Sequence, residues 1–324
     1  MFGRTSKKDY VILVLVVLVC VEGFLLADIY QRYSFMLESL SQPANALMPF
    51  EAPFNASEVR AFLEAQYVPE IGLLRASTIP GGDAERVYIA SDNLLASKAL
   101  EVLASPIAYN VSRTLMFYYN CGYNGQHEIL LGVKASYIGG GGSLLMLGEV
   151  YSEKFGIVFT VCWEIHDSPG HPHGGYADLM VYMALNSLLD GDVEEALKLM
   201  DELMSRWDGY GFRDSAWGGW YESYKLALAV FLWRALNVAV PGYFKYANVI
   251  ARITHDIAPH VCMDWKKGIR THYRVVDGRV IPEGDCNVET TSIYVLAYLS
   301  DVPVKIGLTA KECYSEKTVD VFRG

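Results

Sequence analysis

The longest apolar run of the chain extends from residue 10 to residue 27, after three basic residues among positions 1–9. At 1.5 Å per residue, about 18 helical residues nearly cross a hydrocarbon core of about 30 Å. The run is longer than a typical signal-peptide core, and the sequence Leu25-Leu26-Ala27 places a leucine where cleavage requires a small residue. The pattern therefore predicts an uncleaved signal anchor with residues 1–9 in the cytoplasm and the rest of the chain outside. A cleaved signal peptide is the alternative.

Beyond the anchor, most of the pattern is helical. Apolar residues from Val193 to Trp207 recur every three or four positions, which predicts one amphipathic helix, and Asp192 with Glu195 resembles a capping box. The stretch 220–237 is apolar nearly all round and predicts a buried helix. Five other helices are predicted. One begins at Ser57, a second begins at Ser91 or Asp92, and two more span 176–189 and 243–256. The last extends from an Asn287 cap to about Leu299.

Two regions have the pattern of β-structure. Between about 126 and 165, three β-rich runs are divided by Gly139–Gly142 and by Glu153–Gly156, which predicts a three-stranded meander. Further along, 275–280 predicts a hairpin with Asp277-Gly278 as its type I′ turn. The predicted fold is therefore mainly α with a small antiparallel β insertion. Residues 28–56 form a predicted juxtamembrane stalk, and residues 57–324 form the extracytoplasmic domain.

Composition and charge restrict the partners of this domain. The chain of 324 residues has a formal net charge of −10, which argues against nucleic acid as a partner. Cys20 lies in the anchor and the other five cysteines are dispersed without a C-x-x-C pair, so a zinc ribbon is not indicated. In an oxidising compartment we expect one or two disulfides, with Cys262–Cys286 as the first candidate. Asn55 and Asn110 begin glycosylation sequons.

Acidic residues recur where helices are predicted to begin. Asp92, Glu222 and Glu289 are the candidate catalytic carboxyls, because glycoside cleavage uses one carboxyl as acid and a second as base or nucleophile. If these helices line one ring, their N-terminal ends meet at one mouth. Acids in a first turn also complement the helix dipole without any substrate, which is the competing interpretation. The candidate substrate-binding residues are Trp217, Trp220, Tyr221, Asn93 and Asp285.

Short motifs at these helix starts carry a resemblance. The sequences Asp92-Asn93-Leu-Leu-Ala, Glu222-Ser-Tyr-Lys-Leu-Ala-Leu and Asn287-Val-Glu-Thr-Thr resemble the six-hairpin, or (α/α)6-toroid, glycosidase-like superfamily. The stretches 69–75 and 88–96 also resemble a pattern in secreted or membrane-anchored archaeal proteins. The resemblance implies an incomplete toroid of αα-hairpins, because roughly eight helices are predicted and a sheet interrupts them.

A second constellation lies between residues 164 and 173. Glu164, His166, Asp167, His171 and His173 fall within ten residues and could bind a metal, with His166, His171 and His173 as ligands. The spacing matches no standard zinc motif, and Pro and Gly residues predict a loop. A solvated polar loop is the simpler interpretation.

Together these patterns predict a single-pass cell-membrane protein whose extracellular domain binds or hydrolyses a cell-envelope glycan or glycoprotein, without a cofactor. Two alternatives remain open. The first is a non-catalytic envelope-binding or interaction ectodomain, and the second is a metal-dependent hydrolase that uses the 164–173 loop.

Overall fold

Helices form most of the regular structure in the computed structural model, which describes residues 51–78, 82–119, 125–136, 138–139, 142–166, 175–262 and 268–302. The chain divides into two units, 1–46 and 47–324, and every described residue belongs to the second. The described helices, in chain order, are α1 (Ala56–Ala65), α2 (Ser91–Val102), α3 (Ala108–Tyr119), α4 (Ala177–Leu189), α5 (Val193–Ser205), α6 (Ser223–Ala239), α7 (Ala247–Arg252), α8 (Ala258–Val261) and α9 (Val288–Leu299).

The strands form three small sheets. They are β1 (Tyr67–Val68), β2 (Leu73–Leu74), β3 (Arg86–Tyr88), β4 (Gly142–Ser152), β5 (Ile157–His166), β6 (Tyr221–Glu222), β7 (Arg270–Val276) and β8 (Arg279–Cys286). The sheets have the orders β1-β2, β3-β5-β4 and β6-β7-β8. All pairs are antiparallel except β3 with β5, which is parallel. The expected mainly α class with small antiparallel sheets is confirmed.

Four helices pack in series around the core. Helix α2 contacts α9, α9 contacts α6, and α6 contacts α4. The 3₁₀ helix Gln126–Leu131 contacts both α4 and α2, so these elements form a closed series of contacts. The hairpin partners lie outside this series, with α3 against α2 and α5 against α4.

Burial follows from this arrangement. Thirteen of the 17 residues of α6 are buried, including Phe231 and Trp233, which explains why its sequence is apolar nearly all round. The predicted helix 220–237 is therefore buried as expected, but it begins at Ser223 rather than at Trp220. The reason is that Tyr221 and Glu222 pair with β7 as a short strand.

The predicted meander is only partly correct. The second and third runs form the hairpin β4–β5, but the first run is the 3₁₀ helix Gln126–Leu131. His127, Glu128, Ile129 and Leu130 are all buried, whereas a strand with one covered face would bury alternate residues. The third strand of this sheet is β3, far away in sequence.

Predictions made from local signals at turns and caps are correct more often. Asp277 and Gly278 have φ of 52° and 75°, as a type I′ turn requires, and they join β7 to β8 as predicted. Asp192 accepts a hydrogen bond from the backbone N–H of Glu195 at 3.0 Å, and Asn287 accepts one from Thr290 at 2.8 Å. The predicted Ser57 cap is wrong because Asn55 caps α1.

The predicted helix 243–256 is also wrong in its bounds. Helix α7 begins at Ala247, and a π-helix, Ile253–Ile257, continues it to α8. Among the described residues, no helix is both long enough and apolar enough to cross a membrane. The predicted span 10–27 lies outside the described residues.

Candidate functional site

The first turns of the four central helices carry the carboxylates of the candidate site. Asp92 lies in α2, Asp178 in α4 and Glu289 in α9, and Glu222 is the residue before α6. Their side chains interact electrostatically with one another and with shared neighbours. Asp92 and Glu289 lie in the first turns of their helices, as the sequence pattern predicts, whereas Glu222 lies just before α6.

Asp92 is the most deeply buried of these acids, with 4% of its surface exposed. Among the described residues, its Oδ2 atom has no hydrogen-bond partner. Burial, followed by the negative charges of Glu289 and Glu164, raises the pKa of Asp92 well above its usual range. The raised pKa of Asp92 favours the protonated form of this carboxyl.

Glu289 is paired with a histidine that the helix-start pattern did not reveal. The Nε2 atom of His127 lies 3.4 Å from Oε1 of Glu289. Burial of His127 opposes its charged form, but the hydrogen bond to Glu289 and the charges of Glu289 and Glu164 outweigh burial and raise the pKa of His127. Thirty per cent of the Glu289 side chain is exposed, so this carboxylate remains accessible to solvent.

Glu222 belongs to a buried ionic cluster. Nζ of Lys225, one turn along α6, forms ion pairs with Glu222 and, at 2.6 Å, with Asp214. Asp214 also accepts a hydrogen bond from the backbone N–H of Ala177 at 2.8 Å, so it holds the start of α4. Glu222 is 34% exposed, whereas Lys225 and Asp214 are almost fully buried.

Tyr224 connects the two halves of the site. Its hydroxyl donates to Asp178 at 3.0 Å and lies 3.5 Å from Glu222. Burial, followed by the charges of Asp178, Glu222 and Glu289, raises the pKa of Tyr224 well above its usual range. The charges of Glu222 and Glu289 therefore both influence the same phenol.

The predicted aromatic residues divide into exposed and buried members. Trp217 and Trp220 are 41% and 46% exposed, whereas Tyr221 is buried and stacks on Tyr273 with ring centroids 5.2 Å apart. Trp220 lies 6.1 Å from His272, which is the residue paired with Glu222 across β6 and β7. Trp220 is therefore an exposed aromatic face beside Glu222, and Tyr221 supports the strand from beneath.

Two other predicted binding residues have structural partners instead. Asn93 is fully buried, and its side chain makes three hydrogen bonds with the backbone of Leu74 and Tyr88. Its amide is thus committed to holding β2 and β3 against α2. Asp285 accepts hydrogen bonds from Ser77 and Thr271, which joins the chain before β3 to the β7–β8 hairpin.

Several residues of the site were missed or misassigned from the sequence. Glu164, first considered as a metal ligand, accepts hydrogen bonds from the backbone N–H and the hydroxyl of Ser91 at 2.8 and 2.7 Å, so it caps α2. His127 lies in the run 126–138, for which the sequence pattern predicts a strand. Asp178 follows the same helix-start rule as Asp92, and that rule could have identified it.

The metal and disulfide expectations have different outcomes. Among the described residues, no three His, Cys, Asp or Glu side chains are grouped to hold a metal ion. His171, His173 and the side chain of His166 lie outside the described residues.

The predicted Cys262–Cys286 disulfide is wrong because the two cysteines are not bonded. Burial and the neighbouring Cys286 raise the pKa of Cys262, so this thiol stays protonated.

The site therefore combines a buried acid whose pKa is raised, two partly exposed carboxyl groups and an exposed indole. Two carboxyls can perform acid–base chemistry when their environments keep one protonated and the other ionised. Comparison of the chain with family models, with curated proteins and with solved structures finds no match.

Proposed function

We propose that this site binds a glycan and hydrolyses its glycosidic bond, with Asp92 as the general acid and Glu289 as the base or nucleophile. The observation that carries the proposal is the Asp92–Glu289 pair, in which the charge of Glu289 helps to keep Asp92 protonated. Glycoside hydrolysis uses one carboxyl as a proton donor and a second as base or nucleophile. Asp92 would protonate the leaving oxygen while Glu289 activates water or attacks the anomeric carbon.

Glu222 and the indoles complete the proposed site. Trp220 offers a partly exposed ring beside Glu222, and aromatic faces suit the apolar faces of sugar rings. Tyr224 would position Asp178 and Glu222 through its hydroxyl. His127 would hold the Glu289 side chain in place through their contact at 3.4 Å.

The same proposal includes an αα-hairpin toroid as the finer description of the fold. The closed series α2, α9, α6, α4 and 126–131, with hairpin partners outside it, supports an incomplete αα-hairpin toroid. In such a ring the N-terminal ends of the inner helices form one mouth. The proposed setting is the outer face of a cell membrane, with a cell-envelope glycan or glycoprotein as substrate and residues 10–27 as the anchor.

The test is hydrolysis of isolated envelope glycan, followed as the formation of new reducing ends. Asp92→Asn and Glu289→Gln should each lower turnover by at least about 100-fold, because acid–base catalysis typically contributes 10²–10⁴-fold. Glu194→Gln is the matched control, since Glu194 is an exposed acid in the first turn of α5 and lies outside the site. Equal turnover in wild type and both site variants would reject the proposal.

A second candidate function is a non-catalytic interaction ectodomain. The specific observation is the β4–β5 hairpin, in which Leu144, Leu145, Met146 and Leu147 are each 41–65% exposed. Successive residues of a strand face opposite sides, so neither face of the segment 144–147 is covered by the described residues. Exposed apolar surface of this kind is typical of protein interfaces. Leu145→Ser with Met146→Ser should abolish partner binding while leaving glycan turnover unchanged.

A further inference from the structure

A cavity of about 510 Å³ lies between the β7–β8 hairpin and the helical segment that includes Arg252–His260. Helix α8 contacts both strands of the hairpin. Gly278, which lines the cavity, is six residues beyond His272, the residue opposite Glu222. Ile281, which also lines the cavity, pairs with Arg274, two residues from His272. Asp92, Asp178, Glu222 and Glu289 are not among the residues that line the cavity, so its lining is distinct from the carboxylate site.

Two guanidinium groups line this cavity, those of Arg252 and Arg279. Within the part of the chain that the structure describes, neither forms an ion pair with a carboxylate, whereas Arg213 and Arg274 pair with Asp208 and Glu283. In a chain with a net charge of −10, two such arginines at one cavity concentrate positive charge locally.

The backbone beside Arg252 is unusual. Residues Ile253–Ile257 form a π-helix, a conformation that is rare and frequently found at functional sites. Asp256 is four residues after Arg252 and also lines the cavity, yet the two do not form an ion pair within 4 Å. Arg252, Arg279 and Asp256 together carry a formal charge of +1, and His260 is the remaining ionisable residue of the lining.

The walls of the cavity define the rest of its ligand. The Arg252 guanidinium lies 5.3 Å from the centre of the Tyr210 ring, which orients its N–H groups. Ile257, Val280 and Ile281 supply an apolar wall, and Ile281 is 41% exposed. The cavity thus offers planar, bidentate donors on one side and apolar surface on the other.

We propose that this cavity binds an organic carboxylate with one negative charge. The carboxylate would lie between Arg252 and Arg279, because the guanidinium fork matches two carboxylate oxygens. The carbon skeleton would pack on Ile257 and Ile281. The single surplus charge fits a monoanion better than a phosphate dianion. This site goes beyond the proposed glycan hydrolysis and does not depend on it.

The experiment is calorimetric titration of the full-length protein with benzoate and with benzamide, its neutral analogue of the same shape. We expect benzoate to bind at least about tenfold more tightly than benzamide. Arg252→Gln and Arg279→Gln should each weaken benzoate binding by about tenfold or more, because each removes a charge-assisted hydrogen bond. Arg113→Gln is the control, since it removes the same charge from an exposed position on α3.

Several results would overturn the proposal. They are undetectable benzoate binding, equal binding of benzamide, an equal loss in Arg113→Gln, and tighter binding of sulfate than of benzoate. Circular dichroism of each variant separates loss of binding from loss of fold. Glu289→Gln should leave benzoate binding unchanged, so failure of this proposal and failure of the glycan proposal are distinguishable.

Discussion

The Nζ atom of Lys225 lies 2.6 Å from Oδ2 of Asp214, with only 5% and 2% of the two side chains exposed. The pair joins the first turn of α6 to the loop that holds the start of α4. Burial opposes the charge on Lys225, but its hydrogen bonds to Asp214 and Glu222 raise its pKa. The pair is therefore a fixed connection beneath the candidate site.

Lys225→Met should destabilise the protein strongly. Removal of one partner leaves Asp214 as a buried charge without its cation, and such changes cost about 3–5 kcal/mol. Lys198→Met is a matched control, because Lys198 also follows a glutamate by three residues but is 72% exposed. Its loss should cost about 0.5 kcal/mol or less. Urea denaturation measures both, and equal costs would contradict the structural role of Lys225.

Asn93→Ala should destabilise the domain by roughly 3 kcal/mol. The substitution removes three buried hydrogen bonds to the backbone of Leu74 and Tyr88, each worth about 1 kcal/mol, and leaves those groups unsatisfied. Asn248→Ala, at an exposed position of α7, should be nearly neutral. A stable Asn93→Ala variant with weakened glycan binding would instead favour the ligand-binding role.

Glu128 makes stability depend on pH. Burial raises the pKa of this carboxyl to about 8. The folded protein therefore retains a proton that the unfolded chain releases above about pH 4.3, and stability falls as pH rises from there to about 8. Glu128→Gln should remove this loss. The free energy of unfolding of Glu128→Gln should exceed that of wild type by little at pH 4, by more as the pH rises, and by a constant amount above pH 8. The upper limit of this difference is about 4–5 kcal/mol.

Thermal unfolding of wild type and Glu128→Gln between pH 4 and 9 measures this difference. Glu101→Gln, at an exposed position of α2, should show no such trend. A constant difference between Glu128→Gln and wild type across that range would show that Glu128 titrates normally.

The topology prediction concerns residues outside the described part of the chain. Protease added to intact cells should remove the domain that follows residue 28 and leave the predicted anchor 10–27 in the membrane. Cleavage only after cell lysis would contradict the predicted orientation. A tag placed before residue 10 should remain protected, which controls for leaky cells.

Local signals explain what could be predicted within the described fold. The Asp277-Gly278 turn, the Asn287 cap and the stripe of α5 depend on a few neighbouring residues, and all three are present in the structure. The predicted strand at 126–138 fails because its apolar residues are buried by α2 and α4, which are distant in sequence. Burial on all sides removes the alternation that distinguishes a half-buried strand from other conformations.

The candidate site shows the same division. By itself the sequence determined that acids stand at several helix starts, because dipole and capping preferences act within one turn. Only the tertiary structure decided that Asp92 lies near Glu289, that His127 pairs with Glu289 and that Asn93 serves the backbone. These relationships join segments far apart along the chain, and the burial that shifts the pKa of Asp92 exists only when those segments pack together.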